Sequence, residues 1–140
     1  MRFYESSATI AASPDDVWAT LVDAASWPNW DSGVDAVEGT IAEGQKITIR
    51  SSAAPGRAFP VKVTAFEPFR RLVFSGGMPL GLFRGVRTYS LAPGADGSTR
   101  FHMREEYSGP LLGMMWSRMP NLQPSFDTFV NGLKARAESA

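Results

Sequence analysis

The segment from Ser108 to Ala137 constrains the fold most. In its second half Leu122, Phe126, Phe129, Val130 and Leu133 recur at steps of four, three, one and three, which is one apolar stripe on a 3.6-residue helix. Asp127, Asn131, Lys134 and Arg136 take the opposite side and favour water. The first half, Leu111 to Met119, is apolar nearly all round and carries Met114, Met115, Trp116 and Met119. Pro120 and Pro124 each remove a backbone donor and crowd the preceding turn, so a kink or break is expected between Met119 and Pro124. A helix with such a stripe has to be buried against the rest of the chain. The Met-rich stretch before it is either ordinary core or a pliable cavity wall, since thioethers adapt to irregular space.

What surrounds this helix follows from the chain in order. Phe3 to Ala11 alternates apolar and polar residues and reads as a first strand. Ser13-Pro14-Asp15-Asp16 supplies an N-cap, a proline for the first helical position and two acids for the first turn, so a helix starts here. Val17, Trp18, Leu21 and Val22 give it a buried face, and it is expected to end near Asp23. Trp27 to Asp31 is too short and proline-broken for more than one further helical turn. Six strands follow, at Val34–Thr40, Gln45–Ser51, Phe59–Glu67, Arg71–Ser75, Phe83–Ala92 and Thr99–Tyr107, each bounded by Gly- or Pro-containing turns. One helix cannot cover seven antiparallel strands unless the sheet curls. The expected fold is therefore α+β and a single domain over residues 1–140: a curved seven-stranded antiparallel sheet wrapped around a long C-terminal helix, with two short helices between the first two strands.

Within the last strand Phe101, Met103, Glu105 and Tyr107 share one face, and Arg100, His102, Arg104 and Glu106 share the other. The apolar face points inward and takes Glu105 with it, where an unpaired carboxylate would be costly. The preceding strand aligns Phe83, Arg87, Tyr89 and Leu91 on one face. If the intervening hairpin sets Leu91 opposite Phe101, Tyr89 falls opposite Met103 and Arg87 opposite Glu105. Arg87 and Glu105 then form either an inward polar pair presented to a cavity or a purely structural bridge; in another register they miss.

The totals exclude several functions. A chain of 140 residues buries about two thirds of its unfolded surface. Its 14 basic and 14 acidic residues cancel without any run of like charge, so nucleic acid and anionic membrane surfaces are not expected partners. It has no cysteine and one histidine, His102, which leaves no disulfide framework, no thiolate metal site and no histidine pair; no metal or cofactor is expected. Leu72 to Phe83, the longest uncharged run, is shorter than the roughly 20 residues a spanning helix needs. The amino terminus alternates rather than forming an apolar block, so no secretory signal and a cytoplasmic location are expected.

Ile10 to Trp18 (IAASPDDVW), Trp27 to Asp31 (WPNWD), Phe66-Glu67-Pro68 and Phe101 to Gly109 (FHMREEYSG) together resemble, in order and spacing, the START-like superfamily, also called SRPBCC or polyketide cyclase/dehydrase-like. They span nearly the whole chain. The resemblance implies the helix-grip fold, with an apolar cavity between sheet and helix that takes lipids, sterols, quinones, polyketides or plant hormones. Some members cyclise or dehydrate polyketides.

Three functions stay open. The first is a binder of a small hydrophobic molecule, its cavity lined by Trp30, Phe74, Arg87, Tyr89, Phe101, Met103, Glu105, Met115, Met119, Leu122 and Phe126. A cyclase or dehydratase is the second, with Glu105 as the catalytic candidate and Tyr89 or Tyr107 as proton donors; a carboxylate pinned by Arg87 would be a poor base. The third is a partner-binding module, a homodimer included, using a sheet edge or the apolar Gly76–Phe83 loop. Glycines on both sides of that loop suit a cavity lid.

Overall fold

The computed structural model of the protein describes residues 1–52 and 54–139. Strand β1 (Arg2–Ile10) is followed by helix α1 (Pro14–Val22) and a 3-10 turn (Ala24–Asn29). Six strands come next: β2 (Val34–Glu38), β3 (Lys46–Ser51), β4 (Phe59–Glu67), β5 (Arg71–Gly77), β6 (Arg84–Pro93) and β7 (Thr99–Ser108). Helices α2 (Leu112–Arg118) and α3 (Gln123–Glu138) close the chain.

Helix α1 begins as its sequence requires. Ser13 Oγ accepts from the Asp16 amide at 3.2 Å, and Pro14 stands where its missing donor is not needed. The strands form one antiparallel sheet in the order β1-β7-β6-β5-β4-β3-β2. The first two strands in sequence are thus its opposite edges, joined by α1 and the 3-10 turn. Irregularities at Val34/Ala36 and Val63/Ala65 bend β2 and β4, and bulges of this kind add the local twist that lets a sheet curl.

The Ser108–Ala137 segment breaks where the prolines lie, with one adjustment. Ser108 ends β7, and the single expected helix is two. Met119 is already extended, at φ −76 and ψ 142, and Pro124 sits in the first turn of α3 instead of interrupting it, where a proline costs no hydrogen bond. Its expected stripe is buried at Phe126, Phe129, Val130 and Leu133, with Leu122 half-buried.

Helix α3 also covers the β1 edge, whose unpaired backbone would otherwise invite another strand. Gln123 Nε2 donates to the Glu5 carbonyl at 2.8 Å, Lys134 Nζ donates to the Thr9 carbonyl at 2.7 Å, and Glu138 accepts from the Ala11 amide at 2.8 Å. The Ala11 amide, then Lys134, hold the Glu138 carboxyl below its usual range. At Gly132 the helix touches the chain leaving the 3-10 turn so closely that a Cβ would overlap the Asp31 carbonyl.

The core lies between α1, α3 and the concave face of the sheet. Trp27 is fully buried, donates through Nε1 to the Leu21 carbonyl at 3.1 Å and meets Phe129 edge-on at 5.0 Å. Among the described residues no helix is long and apolar enough to cross a membrane.

Candidate functional site

Between α3, α2 and the sheet the core leaves a cavity of about 420 Å³. The strand alternation that shapes the core also furnishes this space. Arg87 pairs in register with Glu105, Tyr89 with Met103 and Leu91 with Phe101, the alignment on which the inward pair depended. Phe74 and Met103 rise into the cavity from the sheet, and Met115, Met119, Leu122 and Phe126 come down from α2, the link and α3.

One corner is polar. Arg87 Nε donates to Glu105 Oε1 at 2.6 Å, with the two side chains 25% and 16% exposed, so the pair is largely withdrawn from water but still reaches the cavity. Gly85 makes room for it, since a Cβ there would stand 2.6 Å from Glu105 Oε2. The guanidinium carbon lies 4.9 Å from the centre of the Phe126 ring, a cation–π contact from α3. Burial works against the Arg87 charge, but the Glu105 carboxylate and the Tyr89 and Tyr107 side chains outweigh it and raise its pKa above the ordinary arginine value.

Two tyrosines flank the pair. Tyr107 lines the cavity; Tyr89 stands beside Met103 with its ring against Phe74 and Phe129. Both hydroxyls are buried, and neither makes a hydrogen bond among the described residues. Burial pushes the Tyr89 phenol up, with Arg87 opposing; burial and then the Glu105 charge push Tyr107 up. Both remain neutral phenols able to donate.

Of the residues singled out from sequence, Phe74, Arg87, Met103, Glu105, Met115, Met119, Leu122 and Phe126 stand around this cavity. Trp30, Tyr89 and Phe101 do not reach its wall. Trp30 is half-buried against Phe129 at 5.3 Å and donates to Ser26 Oγ, whereas Tyr89 and Phe101 are fully covered and pack on each other at 6.2 Å. His102 is on the outer face, 2.8 Å from Glu5. The Gly76–Phe83 loop divides: Gly77 and Phe83 at its base border the cavity, while Leu80 at its tip is 97% exposed. The loop is tied to the approach to α2, because the Leu111 amide donates to the Leu82 carbonyl at 2.9 Å.

Residues 1–138 match the family model described as polyketide cyclase / dehydrase and lipid transport. The chain belongs to this family. A comparison of the polyketide cyclase / dehydrase and lipid transport chain with curated proteins found no match. Solved structures share its fold at low identity. Protein MLL2253 from Mesorhizobium loti superposes with a TM-score of 0.77 at 18% identity, covering 99% of this chain and 98% of that one. The Zhui aromatase/cyclase from Streptomyces sp. R1128 gives 0.74 at 16%, over 98% and 93%. The Aha1 dimer from Colwellia psychrerythraea gives 0.74 at 17%, over 99% and 97%. A helix-grip fold with a ligand-binding or cyclase role is what the family carries.

Other wall residues escaped sequence reasoning as part of the lining. Tyr107 shares the alternation of Glu105, and Phe129 follows Phe126 by three residues, so both were within reach of the same argument. Val34, Ile49 and Phe59 come from strands at the far side of the curl, and nothing in their local pattern says how far the sheet bends.

Proposed function

We propose that the protein binds one small, largely apolar molecule in the cavity between the curled sheet and its C-terminal helices. The observation that carries this reading is a cavity of about 420 Å³ with mainly apolar walls and an inward polar corner formed by Arg87 and Glu105. Its size falls in the range of small-molecule sites, roughly 300–1,000 Å³, and a few convergent polar groups in apolar surroundings are the usual means of orienting a ligand. Phe74, Met103, Met115, Met119, Leu122 and Phe126 supply the apolar contact, and Arg87 with Glu105 the orientation. Met115 and Met119 let the wall adapt to shape. Entry runs past α2, which has no buried residue, or past the base of the Gly76–Phe83 loop.

A second reading, a cyclase or dehydratase using Glu105, draws support from the likeness to the Zhui aromatase/cyclase. Glu105 Oε1 accepts a short hydrogen bond from Arg87, so the carboxylate is held in an ion pair and not presented alone to a substrate. Binding therefore ranks first. A homodimer is the further proposal for the exposed Leu80 tip, with gel filtration of Leu80→Asp against the wild type as its check.

Filling the cavity tests the binding reading. Ser125 borders it from the first turn of α3, so Ser125→Trp places an indole inside. Titration with an apolar, environment-sensitive fluorophore is expected to saturate at one equivalent in the wild type and to weaken at least about tenfold in the variant. Equal binding by two equally folded proteins would place the ligand elsewhere.

A further inference from the structure

We infer that the bound molecule presents an uncharged oxygen, a carbonyl or a hydroxyl, to the Tyr107 hydroxyl at the polar corner of the cavity. The inference rests on the binding reading above and adds the chemical class of the ligand.

Its starting point is an unmet need. Tyr107 is 3% exposed and borders the cavity, and its hydroxyl makes no hydrogen bond of ordinary geometry among the described residues, although the Glu105 carboxylate, already engaged by Arg87, lies close enough to act on it. Buried polar atoms are nearly always partnered, and a lone one beside a ligand-sized space points to a group the ligand brings. Burial and the neighbouring carboxylate keep Tyr107 a neutral phenol, so the corner offers a donor and calls for an acceptor.

Charge narrows the acceptor. Arg87 and Glu105 neutralise each other at 2.6 Å. A ligand carboxylate at this corner would set a second anion beside Glu105, with the Arg87 guanidinium between two carboxylates, and an ammonium would face Arg87; each would lose hydration without gaining an unshared counter-charge there, the other guanidinium of the lining, Arg57, standing outside the corner. A carbonyl or hydroxyl oxygen accepts from Tyr107 and leaves the ion pair intact. Most of the remaining wall is apolar, with Ser32, Ser51, Arg57 and Ser125 as its other polar members, so the oxygen belongs on a largely hydrocarbon body.

The test uses four ligands of one skeleton: decane, 2-decanone, 1-decanol and decanoate at pH 7. Each displaces the apolar fluorophore from the wild type and from Tyr107→Phe, which removes only the unpartnered oxygen and keeps the ring packed. In the wild type the ketone and alcohol are expected to bind about tenfold tighter than decane, and decanoate no tighter than the ketone. In Tyr107→Phe the ratio of ketone to alkane affinity is expected to fall at least about tenfold, because the buried carbonyl then lacks its donor, with the melting temperature unchanged or raised. Decanoate as the tightest ligand, or a ketone-to-alkane ratio that ignores the substitution, would overturn the inference while binding itself stands. If not even decane displaces the probe, the cavity reading falls and this inference with it.

Discussion

Phe129→Ala is expected to lower the free energy of unfolding by about 3–5 kcal/mol, the range for removing a buried aromatic ring. Phe129 joins the 3-10 turn, the sheet and the last helix: its ring lies 5.0 Å from Trp27, 5.3 Å from Trp30 and 5.7 Å from Tyr89, and it is 3% exposed. It also forms part of the cavity wall, so the void left by truncation merges with an existing space. Neighbours that already border a cavity cannot close over the gap, and the loss of contact adds to the lost burial. Urea unfolding followed by tryptophan fluorescence measures the effect. A loss below about 1 kcal/mol, typical of a surface substitution, would show that this ring does not tie the three elements together.

The second large effect concerns the inward charge pair. Glu105→Leu leaves the Arg87 guanidinium over the Phe126 ring without its carboxylate. Breaking a buried pair by removing one partner costs about 3–5 kcal/mol, and the 25% exposure of Arg87 lets water recover some of that, so a loss of about 2–3 kcal/mol is expected. Adding Arg87→Met to Glu105→Leu removes the stranded charge and is expected to restore most of the stability, because an apolar pair of similar volume fits the same walls. A double variant no more stable than Glu105→Leu alone would mean that the loss arises from packing. A double variant that keeps its stability and still distinguishes ketone from alkane would show that Tyr107, which it retains, reads the ligand oxygen without the pair.

Where a local pattern carries the information, the chain can be read directly. The Ser13-Pro14 cap, the Phe126–Leu133 stripe and the alternation of β6 and β7 depend on neighbours one to four residues away, and each stands where it was expected. The hairpin from Ala92 to Thr99 then fixes the register that brings Arg87 to Glu105. What escapes is set by longer-range geometry. Alternation says that Tyr89 and Phe101 face inward, but not that Phe129 of α3 packs on Tyr89 and leaves both residues fully covered. Trp30 is withdrawn for the same reason, its ring held against Phe129. The curl that brings Val34 and Ile49 to the cavity begins at two bulges with no marker glycine of their own. The break before α3 was legible in its prolines; that Pro124 opens the helix depends on the extended backbone of Met119.

Native mass spectrometry of the freshly purified protein, followed by organic extraction, tests the central claim most directly. A single apolar adduct at one per chain, displaced by 2-decanone and diminished in Ser125→Trp, is the result the cavity leads us to expect. An adduct retained undiminished by Ser125→Trp would contradict it, because the ligand would then lie outside the space between the sheet and the C-terminal helices.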